Sequence, residues 1–195
     1  MPNSKNAPLI LASASPNRLE LLKSVNITPD KVSPSDIDET PLRSENPRDF
    51  VKRLAREKAL VAADKHKNSF IIAADTIAVT GGKIIGKAET EGEARKTLLG
   101  FSGRRHKVLT GLCIISPEGK ISTRCIVTVV KFKKLEKKEL DDYLKSKQWV
   151  GKSGCYGLQS RAGGFVESIN GSFSSVIGFP LAETRKILSG MGYKL

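Results

Sequence analysis

Asp75 stands between Phe70-Ile71-Ile72-Ala73-Ala74 and Ile77-Ala78-Val79, inside a stretch that reads as a largely buried strand. An ionised carboxylate in such a place costs several kcal/mol unless it is paired, hydrogen-bonded or ligating a metal. Two readings follow: a general base or metal ligand, or a strand-end carboxylate bonded to backbone. A second candidate lies near the N-terminus, in Ser13-Ala14-Ser15-Pro16-Asn17-Arg18. The free N–H groups of a helix N-terminus attract anions, and the hydroxyls of Ser13 and Ser15 with the Arg18 guanidinium add donors suited to phosphate oxygens. The plainer alternative is that Ser15 only caps the helix and Arg18 is solvated.

Other polar residues are less decisive. Lys58 lies four residues after Leu54 and seven after Val51, along the apolar stripe of its helix, so it either snorkels at the rim or aims its ammonium at an anion. Glu39, in Asp36-Ile37-Asp38-Glu39-Thr40, is a loop acid; Lys87, after Gly86, and Lys152, just before Gly154, are loop cations. Taken singly, all three read as solvated. Tyr156-Gly157-Leu158-Gln159-Ser160-Arg161 lies between Gly154 and Gly163-Gly164, where glycine lets backbone approach a ligand. The Gln159 amide has donors and an acceptor with which to read a base edge, and Arg161 suits phosphate; a simple connector is the alternative. His66 and His106 have no evident partners, Trp149 reads as packing, and no P-loop, GxGxxG, HExxH or nucleophile elbow is present.

The elements that must position these residues alternate in type. Residues 9–14 read as a short buried strand, after which Ser15-Pro16 supply an N-cap and a first-turn proline for a helix carrying Leu19, Leu22 and Val25. Prolines and acids without periodicity make 29–46 a loop. Pro47 and Asp49 open a long helix to about residue 64. A strand over 69–79 turns at Gly81-Gly82 and returns through Ile84-Ile85; a helix over 91–99 ends at Gly100. Strands near 107–115 and 121–132 flank a turn at 117–119, a charged helix runs over 136–146, and Asn170-Gly171 suggests a hairpin over 163–177. Pro180 opens a last helix that ends in Gly190 to Gly192. Helices alternating with strands, mixed with hairpins, give an α/β fold with a mixed sheet.

The order of the signals is more specific than any one of them. Leu11-Ala12-Ser13-Ala14-Ser15-Pro16-Asn17-Arg18-Leu19-Glu20-Leu21-Leu22 resembles the opening motif of the Maf family. Asp38-Glu39, Arg53-Leu54-Ala55-Arg56-Glu57-Lys58-Ala59, Ala74-Asp75-Thr76, Gly86-Lys87, the Ser-Gly-Arg-x-His core within 99–108, 152–159, and Asn170-Gly171-Ser172 through Gly178-Phe179-Pro180-Leu181 follow in family order. The resemblance covers essentially the whole chain as one domain of two lobes. It implies an elongated mixed sheet of the Maf and ITPase-like kind with a nucleotide cleft between the lobes, a divalent metal (Mg or Mn), a nucleoside triphosphate substrate and often a homodimer. By residue match, it places Asp75 as catalytic carboxylate with Lys58 and Lys87 beside it, and Glu39 with Asp75 at the metal. Ser13, Ser15 and Arg18 match the phosphate-binding loop, and Lys152 a further binding position. Thr76 and Gln159 match positions that mark the subgroup acting on dTTP and UTP. Three departures stand out: Asn17 where the motif usually has its first arginine, Ala88 where proline is usual, and Ser160 where glycine is usual.

Composition sets the outer limits. One domain of 195 residues can bury a sizeable core. The net charge of +13 favours anionic partners, but Lys131 to Lys147 interleave with Glu136, Glu139, Asp141 and Asp142 as on a solvated helix face. A generic basic surface is therefore expected, with no specific nucleic acid partner. No apolar run reaches the roughly 18 residues of a membrane span, and the polar stretch from Met1 to Ala7 leads into no signal-peptide core, so a cytoplasmic protein is expected. Cys113, Cys125 and Cys155 form no CxxC pair and read as small core residues, although a hairpin turning near Gly119 would allow Cys113 to face Cys125. Two rivals to a dTTP/UTP pyrophosphatase stay open: a Maf enzyme for modified or purine nucleotides such as 7-methyl-GTP, and a non-catalytic basic binding module linked to cell-division control.

Overall fold

The computed structural model describes residues 7–195; the polar opening residues, on which the absence of a leader was read, lie almost wholly outside them. The chain divides into two compact units. The first comprises the chain up to Asp75, Thr110–Ile126 and Gly178–Leu195; the second comprises Thr76–Leu109 and Val127–Ile177.

The first unit begins with β1 (Leu9–Leu11), α1 (Pro16–Lys23), β2 (Lys31–Val32) and α2 (Pro47–Lys65), and closes with α6 (Leu181–Gly190). Strand β1 pairs in parallel with β2 and with the start of β3 (Phe70–Thr80), in the register Leu11 opposite Ile72. Both faces of β1 and of the start of β3 are covered, so these two strands read as continuous apolar runs whose alternation sorts them into two layers, while the edge strand β2 is exposed. Leu9, Leu11, Phe70, Ile72, Leu112 and Ile114 meet Leu22, Phe179 and Leu188 on one side. Ile10, Ile71, Ala73, Cys113 and Ile115 meet Ala55, Ala59 and Ala62 of α2 on the other. Small residues let α2 approach closely: a Cβ added at Gly111 would overlap the Val51 carbonyl.

The second unit holds the end of β3, β4 (Lys83–Ile85), α3 (Glu91–Phe101), α4 (Lys137–Lys145), β7 (Val166–Asn170) and α5 (Phe173–Ile177). The unit boundaries fall inside β3, β5 (Arg105–Ile115) and β6 (Ile121–Phe132). Its core is richer in aromatics: Phe101, Phe132, Tyr143, Trp149, Tyr156 and Phe165. The strand order is β2-β1-β3-β5-β6-β7, with β4 antiparallel on β3 and β7 antiparallel on β6. This is the mixed α/β class that the sequence predicts. Helix α4 is the solvated face expected of it, with Lys137–Asp141 and Lys138–Asp142 pairs at i,i+4. Among the described residues no helix is long and apolar enough to cross a membrane.

Four expectations are corrected. No hairpin forms over 163–177: β7 leads instead into α5, because Ser172 accepts from the Ser175 N–H and donates its own N–H to Thr128, and these bonds outweigh the local Asn-Gly signal. Gly171 (φ 127°) is needed there for a different reason, since a Cβ would stand 2.8 Å from Thr128 Oγ1. The 29–46 loop contains β2. The β5–β6 turn, closed by Ser116 N–H to Lys120 O at 2.9 Å, sets Thr123 rather than Cys125 beside Cys113, and all three cysteines are free. The histidines do have partners: His66 Nε2 lies 2.9 Å from Ser33 Oγ, and His106 Nε2 2.8 Å from Tyr156 Oη.

Candidate active site

In the first unit, Asp75 lies within β3 rather than at its end and is 7% exposed. Its Oδ1 accepts from Lys58 Nζ at 2.6 Å. Lys58, 8% exposed on the buried face of α2, does not snorkel: its ammonium also lies 2.6 Å from Glu39 Oε1. One cation between two carboxylates offsets the cost of burying Asp75. Beyond β1, the Ala12 N–H bonds to Ile72 O at 2.9 Å, which keeps the chain alongside β3 up to the residue before Ser13. Ser13 Oγ accepts from Arg18 Nη1 at 3.1 Å and from the Ser15 N–H at 3.2 Å, while Arg18 Nε donates to Gly178 O at 3.0 Å. Desolvation pulls the Arg18 pKa down, and the fields of Asp75 and Glu39 push it back up. Arg18 thus lies within the field of the two carboxylates that pair with Lys58. Ser15 occupies the N-cap position of α1, but its side chain makes no cap bond, contrary to the capping reading. Asn17 is half-buried beside it in the first turn.

A side chain given no role of its own in the sequence, Arg53, holds Glu39's loop. Arg53 grips both Glu45 oxygens, Nε to Oε1 at 2.7 Å and Nη2 to Oε2 at 2.8 Å, donates to Thr40 O at 3.1 Å, and meets Glu57 at 3.3 Å. That fork raises the Arg53 pKa and lowers that of Glu45. Ser35 Oγ adds a bond to Lys58 O at 2.7 Å. Opposite charges at 45 and 53 are the only hint in the sequence, and a loop offers no periodicity to interpret them.

The second unit brings together three further predicted residues. Lys87 pairs antiparallel with Ser153, whose hydroxyl donates to Ile85 O at 2.8 Å and accepts from the Ala78 N–H at 3.0 Å. Lys152 and Gln159 each lie near Gly157: a Cβ there would lie 2.9 Å from Lys152 Cε and 3.5 Å from Gln159 Oε1. The segment is therefore a tied turn, not a loose connector. Ser160 reinforces it with Oγ to Gly157 O at 2.6 Å, at φ −102°, a conformation that needs no glycine. Arg161 bonds through its N–H to Gln148 Oε1 at 3.1 Å. Thr76, next after Asp75, begins this unit.

Residues 8–191 match the family of Maf-like proteins. The chain belongs to the Maf family. Among its relatives is the dTTP/UTP pyrophosphatase of Caulobacter vibrioides, 53% identical over 186 residues, covering 95% of this chain and 96% of that protein. Proteins of the same name from Hyphomonas neptunium (48%, covering 100% of both) and Agrobacterium fabrum (44%, covering 100% of this chain and 97% of that one) are also similar. Among the described residues of this Maf protein no three His, Cys, Asp or Glu side chains gather into a ready-made metal site. Glu39 and Asp75 are nonetheless two hard oxygen donors meeting at one ammonium, and one or two carboxylates completed by substrate phosphates is how Mg²⁺ is commonly held. The residues fit such an ion.

Proposed function

We propose that this Maf protein hydrolyses dTTP and UTP to the monophosphate and pyrophosphate, with the Asp75–Lys58–Glu39 cluster as its catalytic centre. The observation that carries the reading is the buried Asp75 carboxylate, bonded at 2.6 Å to an ammonium it shares with Glu39. Burying such charge is costly for a core, whereas attack of water on an α-phosphorus needs both a carboxylate to orient the water and cations to offset phosphate charge. Asp75 takes the first task. Lys58, Arg18 and the Ser13–Ser15 turn take the second, with Lys87 and Lys152 as further cations for the triphosphate. Glu39 and Asp75 would hold a divalent ion, which supplies charge neutralisation at the phosphates. Thr76 and Gln159 read the base: a Gln amide donates to a carbonyl and accepts from the N3–H of thymine or uracil.

The test is pyrophosphate release from dTTP, UTP, CTP and 7-methyl-GTP with Mg²⁺ or Mn²⁺. The highest kcat/KM is expected for dTTP and UTP. A preference for 7-methyl-GTP would move the protein to the other subgroup, and no release from any of the four would remove the enzymatic reading.

A further inference from the structure

Glu39 reaches Lys58 from a loop that has no apolar anchor of its own. Between Pro29 and Phe50 no residue is buried, and Leu42 is among the exposed ones. Packing into a core therefore does not hold this segment in place. The loop is also acidic: over residues 36–45, Asp36, Asp38, Glu39 and Glu45 stand against Arg43 alone. Such a segment gains nothing from approaching the Asp75 carboxylate, which has the same sign.

Polar ties to α2 on either side of Glu39 hold it instead. Ser35 Oγ donates to Lys58 O at 2.7 Å, and Arg53 Nη2 donates to Thr40 O at 3.1 Å. Thr40 is the residue next to Glu39, so the second tie sets where the Glu39 backbone stands. Arg53 is itself held for this task. Its fork closes on both Glu45 oxygens, at 2.7 and 2.8 Å, and Glu45 Oε2 also accepts from the Leu42 N–H at 3.0 Å. On the helix side, Arg53 Cζ lies 5.4 Å from the centre of the Phe50 ring, and Nη1 meets Glu57 at 3.3 Å. One planar guanidinium thus gathers residues 40, 42 and 45, directly or through Glu45, onto α2. The point charge of a lysine has no such fork.

We infer that Arg53 is a positioning residue for the proposed reaction: with Glu45 it latches the 36–45 loop to α2, so that Glu39 meets Lys58 beside Asp75. The inference rests on the catalytic role proposed above for that cluster. Arg53 acts through Glu39 and not on the substrate, which separates it from a residue that only stabilises α2.

The test joins kinetics to amide hydrogen exchange on the intact protein. Arg53→Gln should lower kcat/KM for dTTP by about tenfold to 10²-fold, the scale of a misplaced catalytic group. Glu45→Ala, on the loop and outside the core clusters, should reproduce that loss with the fold intact. Glu57→Gln weakens only the pair within α2 and should change kcat/KM by less than about twofold. In a Glu39→Gln background, Arg53→Gln should cost nothing further, because the group it positions is already gone. Without nucleotide, Arg53→Gln and Glu45→Ala should both speed exchange over residues 36–45 and leave β1 and β3 protected. Losses from Arg53→Gln and Glu39→Gln that multiply, an equal loss for Glu57→Gln, or unchanged exchange over 36–45 would each overturn the inference and leave the catalytic cluster standing. Normal turnover in Glu39→Gln, or none in the wild type, would overturn the proposed reaction or the part of Glu39 in it. The positioning role would fall with it, even where exchange shows Arg53 holding the loop.

Discussion

The first unit buries an ammonium against a carboxylate, Lys58 on Asp75. In the aromatic core of the second, the buried polar pair is neutral. There His106, 3% exposed and stacked on Phe101 at 4.0 Å, meets the Tyr156 hydroxyl, and burial pulls its pKa down to about 4 while pushing that of Tyr156 up. Both pairs are polar groups in cores, yet their electrical states differ for a physical reason. Charge is retained in a core only when partners compensate it, and Lys58 has two such partners while His106 has a phenol on one nitrogen and nothing on Nδ1. Compensated buried charge is what the proposed chemistry draws on; a neutral imidazole among rings serves packing.

The largest effect expected from breaking this contrast is in the charged pair. Asp75→Asn keeps the shape of the side chain and leaves Lys58 paired with Glu39, so the fold should survive. Removal of a general base costs roughly 10²-fold or more, and kcat for dTTP should fall by that much. A folded Asp75→Asn protein with near-normal turnover would take Asp75 out of the mechanism and make the cluster as structural as the aromatic one.

The neutral pair should reveal itself through acid instead. The folded pKa of His106, about 4, lies below its ordinary 6.5, so the unfolded chain takes up a proton first as pH falls. The stability associated with keeping His106 neutral is present above pH 6.5 and is lost progressively between 6.5 and 4. At 1.36 kcal/mol per pKa unit this amounts to about 3 kcal/mol. Urea unfolding from pH 7.5 down to pH 4 should show that loss in the wild type, and His106→Phe should lack it while starting from lower stability. A parallel decline in the two proteins would assign the acid lability elsewhere.

How much of this was legible in the sequence follows from the same contrast. Asp75 was legible because a carboxylate amid Ile and Ala breaks a strong rule. Lys58 was half legible: its place on an apolar stripe allowed either a snorkelling or an inward ammonium, and Glu39 and Asp75, which decide between them, come from a distant loop and strand. His106 was opaque, since its partner lies 50 residues away. The fold was legible wherever local chemistry and tertiary packing agree, as in α2 with Pro47 and Asp49 in its first turn. It failed where they compete: Asn170-Gly171 asks for a hairpin, but the Thr128 and Ser172 hydroxyls capture the chain for α5.

The smallest expected effect comes from adding a charge to the first unit, at Asn17, where the family motif usually has arginine. Asn17 follows Pro16 in the first turn of α1, where the helix dipole opposes a cation. Arg18 next to it is already partly desolvated, so the free protein gains nothing from a second guanidinium. A bound triphosphate changes that balance, because its charge would meet the new side chain at a half-exposed position where a screened pair is worth at most about 1 kcal/mol. Asn17→Arg should therefore lower KM for dTTP by about two- to fivefold, lower the melting temperature slightly, and leave the order of dTTP and UTP over CTP and 7-methyl-GTP unchanged. Base choice is expected to stay with Gln159, which the proposed function assigns to the base and which lies near Gly157. Steady-state kinetics of wild type, Asn17→Arg and Gln159→Glu on the four nucleotides separate the two contributions: the first substitution should move KM alone, the second the ranking of bases. If Asn17→Arg reorders the bases, or Gln159→Glu leaves them in order, selectivity belongs to the charged unit and not to the turn around Gly157.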